Sequence, residues 1–135
     1  MKYKYKKSIL GGTFDRFHKG HKRLIDTAFE NSERVTIGIA TTALFKHKNF
    51  TQAIEDYQTR KHNVETYLKS QNFLDRAEII PISDIYGNSL TDSGIDAIFA
   101  TAENLKNIEE INLERVKVGF NPLSIVIVEY VCGND

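Results

Sequence analysis

The sequence has few residues of the kinds that stabilise small secreted proteins. Its 135 residues include one cysteine, Cys132, two prolines and no tryptophan. A single cysteine excludes an intramolecular disulfide and a cysteine-based metal cluster, so the sequence is not that of a disulfide-rich secreted scaffold. We therefore expect the protein to work in a reducing cytoplasm.

An excess of one charge and a long apolar run are also missing. Lys and Arg number 18, as do Asp and Glu, and the formal net charge is zero. Without a net basic field, we expect no nucleic acid or acidic membrane as a partner, and any anion must be bound locally. No apolar run approaches the roughly 18 residues that a membrane span needs. The oligomeric state stays open.

The length predicts one domain, residues 1–135, because domains usually contain roughly 100 to 200 residues. Hydrophobic residues make up 41% and charged residues 27% of the chain, as in an ordinary globular domain. The basic start, Lys2 to Lys7, is interpreted as a solvated segment that leads into the first strand.

Apolar, β-branched runs alternate with segments of helical periodicity, which predicts strands that alternate with helices. The predicted helix faces are Leu24, Ile25, Ala28 and Phe29, then Tyr57, Val64 and Leu68, and then Leu105, Ile108 and Ile111. The strand runs are nearly continuous in apolar residues, so we expect strands that are buried on both faces, as in a parallel sheet. The predicted fold class is α/β, a doubly wound, five-stranded parallel sheet of Rossmann-like type. Its strands are Ser8–Leu10, Val35–Thr41, Glu78–Ile82, Asp96–Thr101 and Ser124–Val131.

Most of the recognisable chemistry lies in the loop after the first strand, Gly11–His21. The glycines at its start let a ligand approach the backbone, and the helix that follows offers amide donors to a phosphate. Two histidines, His18 and His21, are expected to face a pocket at that helix start. The loop matches neither a P-loop nor the Gly-x-Gly-x-x-Gly fingerprint, and no recognisable ligand spacing completes a zinc site.

The pattern Gly-Gly-Thr-Phe-Asp followed by His-x-Gly-His resembles the signature of the nucleotidyltransferase superfamily. The rest of the chain is most similar to the archaeal and eukaryotic type of phosphopantetheine adenylyltransferase. The segments that keep that family's order and spacing are Tyr86-Gly87 before Leu90, Asp96–Thr101 before Glu103, Ile111-Asn112 before Arg115, and Leu123–Val131.

The resemblance implies a defined reaction in coenzyme A biosynthesis. The AMP group of ATP would pass to 4′-phosphopantetheine, which gives dephospho-coenzyme A and pyrophosphate. Mg²⁺ would enter with ATP, and no metal ligand is assigned to the protein. Because the attacking phosphate is already an anion, no general base is needed, and catalysis reduces to positioning and charge stabilisation.

The resemblance also implies residue roles. His21 would donate a hydrogen bond to the phosphate under attack, and His18 would contact the α- or β-phosphate. Thr13 would bind the incoming phosphate, and Lys46 or Lys48 would reach the acceptor phosphate; the sequence does not choose between the two lysines. The expected nucleotide-binding residues are Gly11, Gly12, Thr13, Phe14, His18, His21, Thr101 and Glu103, and the expected catalytic residues are His18, His21, Lys46 and Lys48.

Other polar residues receive simpler interpretations. Asp15 is expected to brace the backbone of the loop. Arg60 either reaches the acceptor phosphate or is a solvated helix residue, and Thr101 is either a helix cap or a ligand contact. His47 and His62 are assigned to the surface, Cys132 to the end of the last strand, and Tyr86 to the wall of a pantetheine pocket.

Two other functions stay open. One is a cytidylyltransferase or another nucleotidyltransferase of the superfamily, and the other is a catalytically weak nucleotide-binding protein. The second is kept open by the end of the given sequence, Cys132-Gly133-Asn134-Asp135, where family members continue into an Ile-Ser-Ser-Thr-like segment; either the chain is shortened or half of the triphosphate site is absent. A separate departure concerns the local substrate contacts, since Thr41-Thr42-Ala43 stands where an aspartate is usual.

Overall fold

A computed structural model describes residues 3–41 and 54–129 of the chain. Five strands in these residues form one parallel sheet, in the order β3-β2-β1-β4-β5. The strands are β1 (Tyr5–Gly12), β2 (Ser32–Ala40), β3 (Ala77–Ile82), β4 (Ala97–Ala100) and β5 (Ser124–Ile127). The helices are α1 (Lys19–Asn31), α2 (Tyr57–Ser70) and α3 (Leu105–Lys117), with short 3₁₀ turns at Leu74–Arg76 and Ala102–Asn104. The predicted doubly wound α/β fold is confirmed.

The two faces of the sheet are covered by different helices. Successive strand residues point to opposite faces, so Leu10 and Phe99 pack on one side while Ile9 and Ile98 pack on the other. The first side holds the apolar faces of α1 and α2, and the second side holds that of α3. The chain therefore builds its sheet outward from β1 in both directions, and the strand order reverses between β1 and β4. Ligands of such sheets bind at the carboxyl ends of the strands at this point.

Several element boundaries differ from the sequence prediction. β1 begins at Tyr5, so Lys6 and Lys7 belong to the strand, where Lys7 forms an ion pair with Asp92. β5 ends at Ile127, and its residues are largely exposed because it is an edge strand of the sheet that the described residues form. β3, at the other edge, is also only partly buried. The expectation of burial on both faces therefore holds for the three inner strands.

The predicted helix faces are mostly correct. All four residues proposed for α1 are buried, as are Val64 and Leu68 in α2 and Ile108 and Ile111 in α3. Tyr57 is partly buried, and Leu105, the first residue of α3, is exposed. None of the helices in residues 3–41 and 54–129 has the length and apolar content that a membrane crossing requires.

Candidate active site

A cavity of about 500 Å³ opens at the carboxyl ends of the strands. It lies over β1 and β4, where the strand order reverses. Its lining combines the loop after β1, the start of α1, the end of β4 and the first turns of α3. The lining residues are Gly11, Gly12, Thr13, Phe14, Asp15, Gly20, His21, Leu24, Ala40, Ile82, Ile85, Ile98, Phe99, Ala100, Thr101, Glu103, Asn104, Asn107, Ile108 and Ile111.

The loop after β1, residues Gly11–His21, is called the phosphate loop below. Gly12 leaves the strand at the cavity, and Gly20 and His21 bring the first turn of α1 to its wall. The first turn of α1 contains no acidic residue that would compete for an anion. Because Gly20 and His21 line the cavity, the positive end of the α1 dipole lies at its wall, an arrangement that favours an anion.

His18 and His21 form a reciprocal cap at the start of α1. His18 Nδ1 accepts a hydrogen bond from the backbone N–H of Gly20 at 3.0 Å, and His21 Nδ1 accepts one from the N–H of His18 at 3.2 Å. A ring nitrogen that accepts a hydrogen bond carries no proton, so each neutral imidazole has its proton on Nε2. The cap thereby makes Nε2 of both rings a hydrogen-bond donor.

The imidazole of His21 is fixed by aromatic neighbours as well as by the cap. It stacks on His18 with ring centroids 3.9 Å apart and on Phe17 at 5.5 Å, and Phe14 lies 5.2 Å away. Phe17 packs in turn on Tyr67 of α2, whose hydroxyl donates to Asp26 at 2.6 Å. Both histidines were expected to face the pocket. His21 lines it, whereas the ring of His18 binds the N–H of Gly20 and is not part of the lining.

The capping role of His18 can be tested separately from any contact with substrate. Asparagine at position 18 places Oδ1 where His18 Nδ1 lies, because both atoms are bonded to Cγ, and asparagine is a strong helix cap. We expect His18→Ala to lower the free energy of unfolding by about 1 kcal/mol more than His18→Asn does. Urea denaturation of both variants measures the difference. Equal stability of the two variants would mean that His18 does not cap the helix.

Asp15 braces the phosphate loop as the sequence predicts. Its Oδ1 accepts the backbone N–H of Glu55 at 2.8 Å, and Glu55 Oε1 accepts the N–H of Arg16 at 2.8 Å. Asp15 Oδ2 also accepts from the Arg16 guanidinium at 2.6 Å. The carboxylate therefore ties the phosphate loop to Glu55, just before α2, although it also contributes to the cavity wall.

Arg60 differs from both interpretations that its sequence context suggested. It is 1% exposed, and its guanidinium donates to the carbonyls of Thr13, Ala40 and Glu55 at 2.7 to 2.9 Å. Burial lowers the pKa of Arg60, while the nearby carboxylate of Asp15 opposes the shift. Arg60 is thus neither a solvated helix residue nor a lining residue of the cavity. Its spacing from Val64 and Leu68, four and eight residues later, places it on the buried face of α2 and was the signal for this burial.

The residues after β4 line the far side of the cavity. Thr101 starts the 3₁₀ turn through its carbonyl, which accepts from the N–H of Asn104 at 3.0 Å. Its hydroxyl lies 3.4 Å from the Asn104 side-chain amide and caps no backbone group. Thr101 therefore occupies the cap position, and it also lines the cavity together with Glu103. Asn107, which sequence reasoning did not single out, also lines the cavity, one helical turn after Asn104.

The end of β3 and the loop that follows it supply an apolar part of the cavity wall. Ile82 and Ile85 line the cavity, whereas Tyr86 does not. The Tyr86 hydroxyl donates to Glu110 of α3 at 2.5 Å, and this hydrogen bond raises the pKa of Tyr86 to about 12. Tyr86 therefore fastens the loop to α3, and Ile85, not Tyr86, lines the cavity.

Some predicted residues lie outside the described part of the chain. These are Lys46, Lys48, His47 and Cys132, together with Thr42 and Ala43 and the end of the chain from residue 130. His62 is exposed on α2, as expected. Within residues 3–41 and 54–129, no group of three or more His, Cys, Asp and Glu side chains could hold a metal ion.

Comparisons with known proteins identify a family of nucleotidyltransferases. A family profile described as cytidylyltransferase-like matches residues 9–131. A Methanopyrus kandleri protein named phosphopantetheine adenylyltransferase is 39% identical over 132 residues, which cover 98% of this chain and 83% of that protein. A Methanothermobacter thermautotrophicus protein of the same name is 37% identical, and the match covers 100% of this chain and 80% of that one.

A solved structure shows the same architecture over nearly the whole chain. A protein of unknown function from Archaeoglobus fulgidus superposes with a TM-score of 0.82 at 28% identity, and the match covers 96% of this chain and 93% of the other. The similarity therefore extends from sequence to the arrangement of the strands and helices.

Proposed function

The chain belongs to the cytidylyltransferase-like family, which confirms the resemblance seen in the sequence, and from this premise we propose that it is an adenylyltransferase of coenzyme A biosynthesis. It transfers the AMP group of ATP to 4′-phosphopantetheine and releases pyrophosphate. The observation that carries this proposal is the near full-length similarity to two archaeal proteins named phosphopantetheine adenylyltransferase. The donors that line the cavity also support this proposal.

In this reaction an oxygen of the acceptor phosphate forms a bond to the α-phosphorus of ATP. The bond from that phosphorus to the bridging oxygen breaks, and pyrophosphate leaves with its electron pair. Both reactants are anions, so the protein must hold them in line and stabilise charge on the α-phosphate. A carboxylate base has no proton to remove.

The phosphate end of the cavity has the donors for this task. We assign the triphosphate to the start of α1, where the backbone at Gly12 and Gly20 and the imidazole of His21 line one wall. His21 Nε2–H donates to the α-phosphate as charge accumulates there. The hydroxyl of Thr13 binds the incoming phosphate, and His18, through the cap, keeps His21 in its orientation.

The two remaining walls suit the two substrates. We assign the nucleoside to the polar side formed by Thr101, Glu103 and Asn107, and the pantetheine chain to the apolar side formed by Ile82 and Ile85. Lys46 and Lys48 remain proposed contacts of the acceptor phosphate.

Mg²⁺ enters as part of the ATP substrate. The carboxylate of Asp15 is held by Glu55 and Arg16, so the described residues fit a cation that is bound mainly through the nucleotide phosphates. The low cysteine content supports a cytoplasmic location for the reaction.

The direct experiment measures pyrophosphate release from ATP, Mg²⁺ and 4′-phosphopantetheine. We expect turnover that depends on all three. Release without the acceptor would indicate hydrolysis, and no release under any condition would favour a nucleotide-binding protein without transferase activity.

The family description makes a cytidylyltransferase the second candidate, and nucleotide preference separates the two. A ligand that binds only the folded state stabilises it, by about 2.7 kcal/mol at a hundred times its Kd. We therefore expect Mg-ATP to raise the unfolding temperature more than Mg-CTP at the same concentration. A larger shift with CTP, followed by CMP transfer to a phosphorylated alcohol, would replace the adenylyltransferase assignment.

A further inference from the structure

We propose that Arg60 is a positioning residue, which sets the geometry of the phosphate loop from behind and so controls the transfer step without touching a substrate. The kinetic part of this inference rests on the proposed function. The structural part concerns the phosphate loop alone and can be tested without any substrate.

The guanidinium of Arg60 joins three segments that meet at the edge of the cavity. Its Nη1 donates to the carbonyl of Thr13 in the phosphate loop at 2.9 Å and to the carbonyl of Ala40, the last residue of β2, at 2.7 Å. Its Nε donates to the carbonyl of Glu55, just before α2, at 2.8 Å. Thr13 and Ala40 both line the cavity. One planar group therefore fixes where the phosphate loop lies relative to the sheet.

Glu55 extends this control to the next part of the phosphate loop. Its N–H donates to Asp15 and its carboxylate accepts the N–H of Arg16, both at 2.8 Å, while its carbonyl is held by Arg60. The backbone N–H and the carboxylate of Glu55 thus bind the phosphate loop, while its carbonyl is held by Arg60. Loss of Arg60 would release Glu55 and, with it, the brace on Asp15 and Arg16.

The backbone of the phosphate loop needs such a brace. Phe14 and Arg16 have φ values of 57° and 47°, in the left-handed region that residues other than glycine rarely adopt. This backbone conformation is unfavourable for such residues, and it persists where contacts with the surrounding structure hold it in place. The hydrogen bonds made by Arg60 and Glu55 flank both positions and hold the backbone there.

Arg60 also places a buried positive charge directly behind the loop. Arginine stays protonated in proteins, and its planar fork can reach several carbonyls at once, which the single ammonium of lysine cannot do with the same geometry. Asp15, Glu55 and Asp56 are the carboxylates near this charge. The charge and the fork act together, so Arg60→Lys should keep the first and lose the second.

Arg115 provides a matched control within the same chain. It is 0% exposed and donates to the carbonyls of Ser89, Asp92, Ile95 and Asn121, at 2.6 to 3.4 Å. None of these four residues lines the cavity. Arg115→Met therefore removes a guanidinium of α3 that is as deeply buried and holds other segments of the chain, and it reports the general cost of such a loss.

The experiment compares Arg60→Met, Arg60→Lys and Arg115→Met with the wild type, at a temperature where circular dichroism shows each of them folded. Amide hydrogen exchange of residues 12–16 measures the loop without substrate. We expect faster exchange there in both Arg60 variants and wild-type exchange in Arg115→Met. We also expect kcat to fall about a hundredfold in Arg60→Met, as for a misplacement of about 1 Å, and to stay within about threefold in Arg115→Met.

Each outcome decides one part of the inference. Wild-type exchange at residues 12–16 in the Arg60 variants overturns the positioning role, as does a kcat no lower than that of Arg115→Met. If Arg60→Met does not fold, Arg60→Lys gives the same two readings. A wild-type protein without turnover would overturn the proposed function, while faster exchange in the Arg60 variants would still establish that Arg60 holds the loop.

Discussion

Replacing His21 by alanine is expected to lower kcat about a hundredfold or more while the Kd for ATP changes only a few-fold. Removal of one donor aimed at developing charge costs on the order of 3 kcal/mol in the transition state. In the proposed complex the ground-state triphosphate would keep its contacts with the backbone at Gly12 and Gly20, so its binding would lose less. Steady-state kinetics and calorimetric titration with ATP measure the two effects.

Two further substitutions separate the donor of His21 from its part in the helix cap. His21→Asn keeps an acceptor at the position of Nδ1, which receives the N–H of His18 at 3.2 Å, but it has no donor at the position of Nε2. His21→Gln places an amide N–H near Nε2. We expect His21→Asn to be as slow as His21→Ala, and His21→Gln to recover part of the lost rate.

A different ranking would change the role of His21. If His21→Asn were as active as the wild type, the residue would act through the helix cap alone. If the variants lost ATP binding and turnover in equal proportion, His21 would be a ground-state ligand of the triphosphate instead.

The sequence predicts the fold and the phosphate loop well because both depend on local patterns. Inner strands are continuous apolar runs, and a glycine pair at the end of such a run places a loop at the carboxyl edge of a parallel sheet. The histidine spacing was equally visible in the sequence. The reciprocal cap was not predicted, because it depends on which ring nitrogen meets which backbone N–H.

The two buried arginines show where sequence reasoning was weaker. Arg60 follows the spacing of Val64 and Leu68, and Arg115 lies four residues after Ile111, so each continues the apolar face of its helix. An arginine on such a face is usually read as a solvated side chain. Its burial depends on carbonyls that come from distant segments of the chain, and no local pattern shows where those carbonyls will lie.

Phe14 has a structural role in addition to the nucleotide contact that the sequence predicts. The sequence assigned it to nucleotide binding as part of the signature. In the structure its side chain is 1% exposed and belongs to the main hydrophobic core, where it approaches Phe17 and His21. It lines the floor of the cavity and anchors the phosphate loop in the core.

Phe14→Ala is therefore expected to lower the free energy of unfolding by about 3 to 5 kcal/mol, the usual cost of truncating a buried phenylalanine. Domains of this kind are stable by about 5 to 15 kcal/mol, so the loss should be obvious in the urea midpoint. Leu113→Ala is the control, because Leu113 is 65% exposed on α3 and its truncation should cost no more than about 0.5 kcal/mol. Phe14→Leu should lie between the two variants, since it keeps part of the apolar volume. If Phe14→Ala were no less stable than Leu113→Ala, the side chain would not anchor the loop, and its place in the signature would have to be explained by contact with the nucleotide.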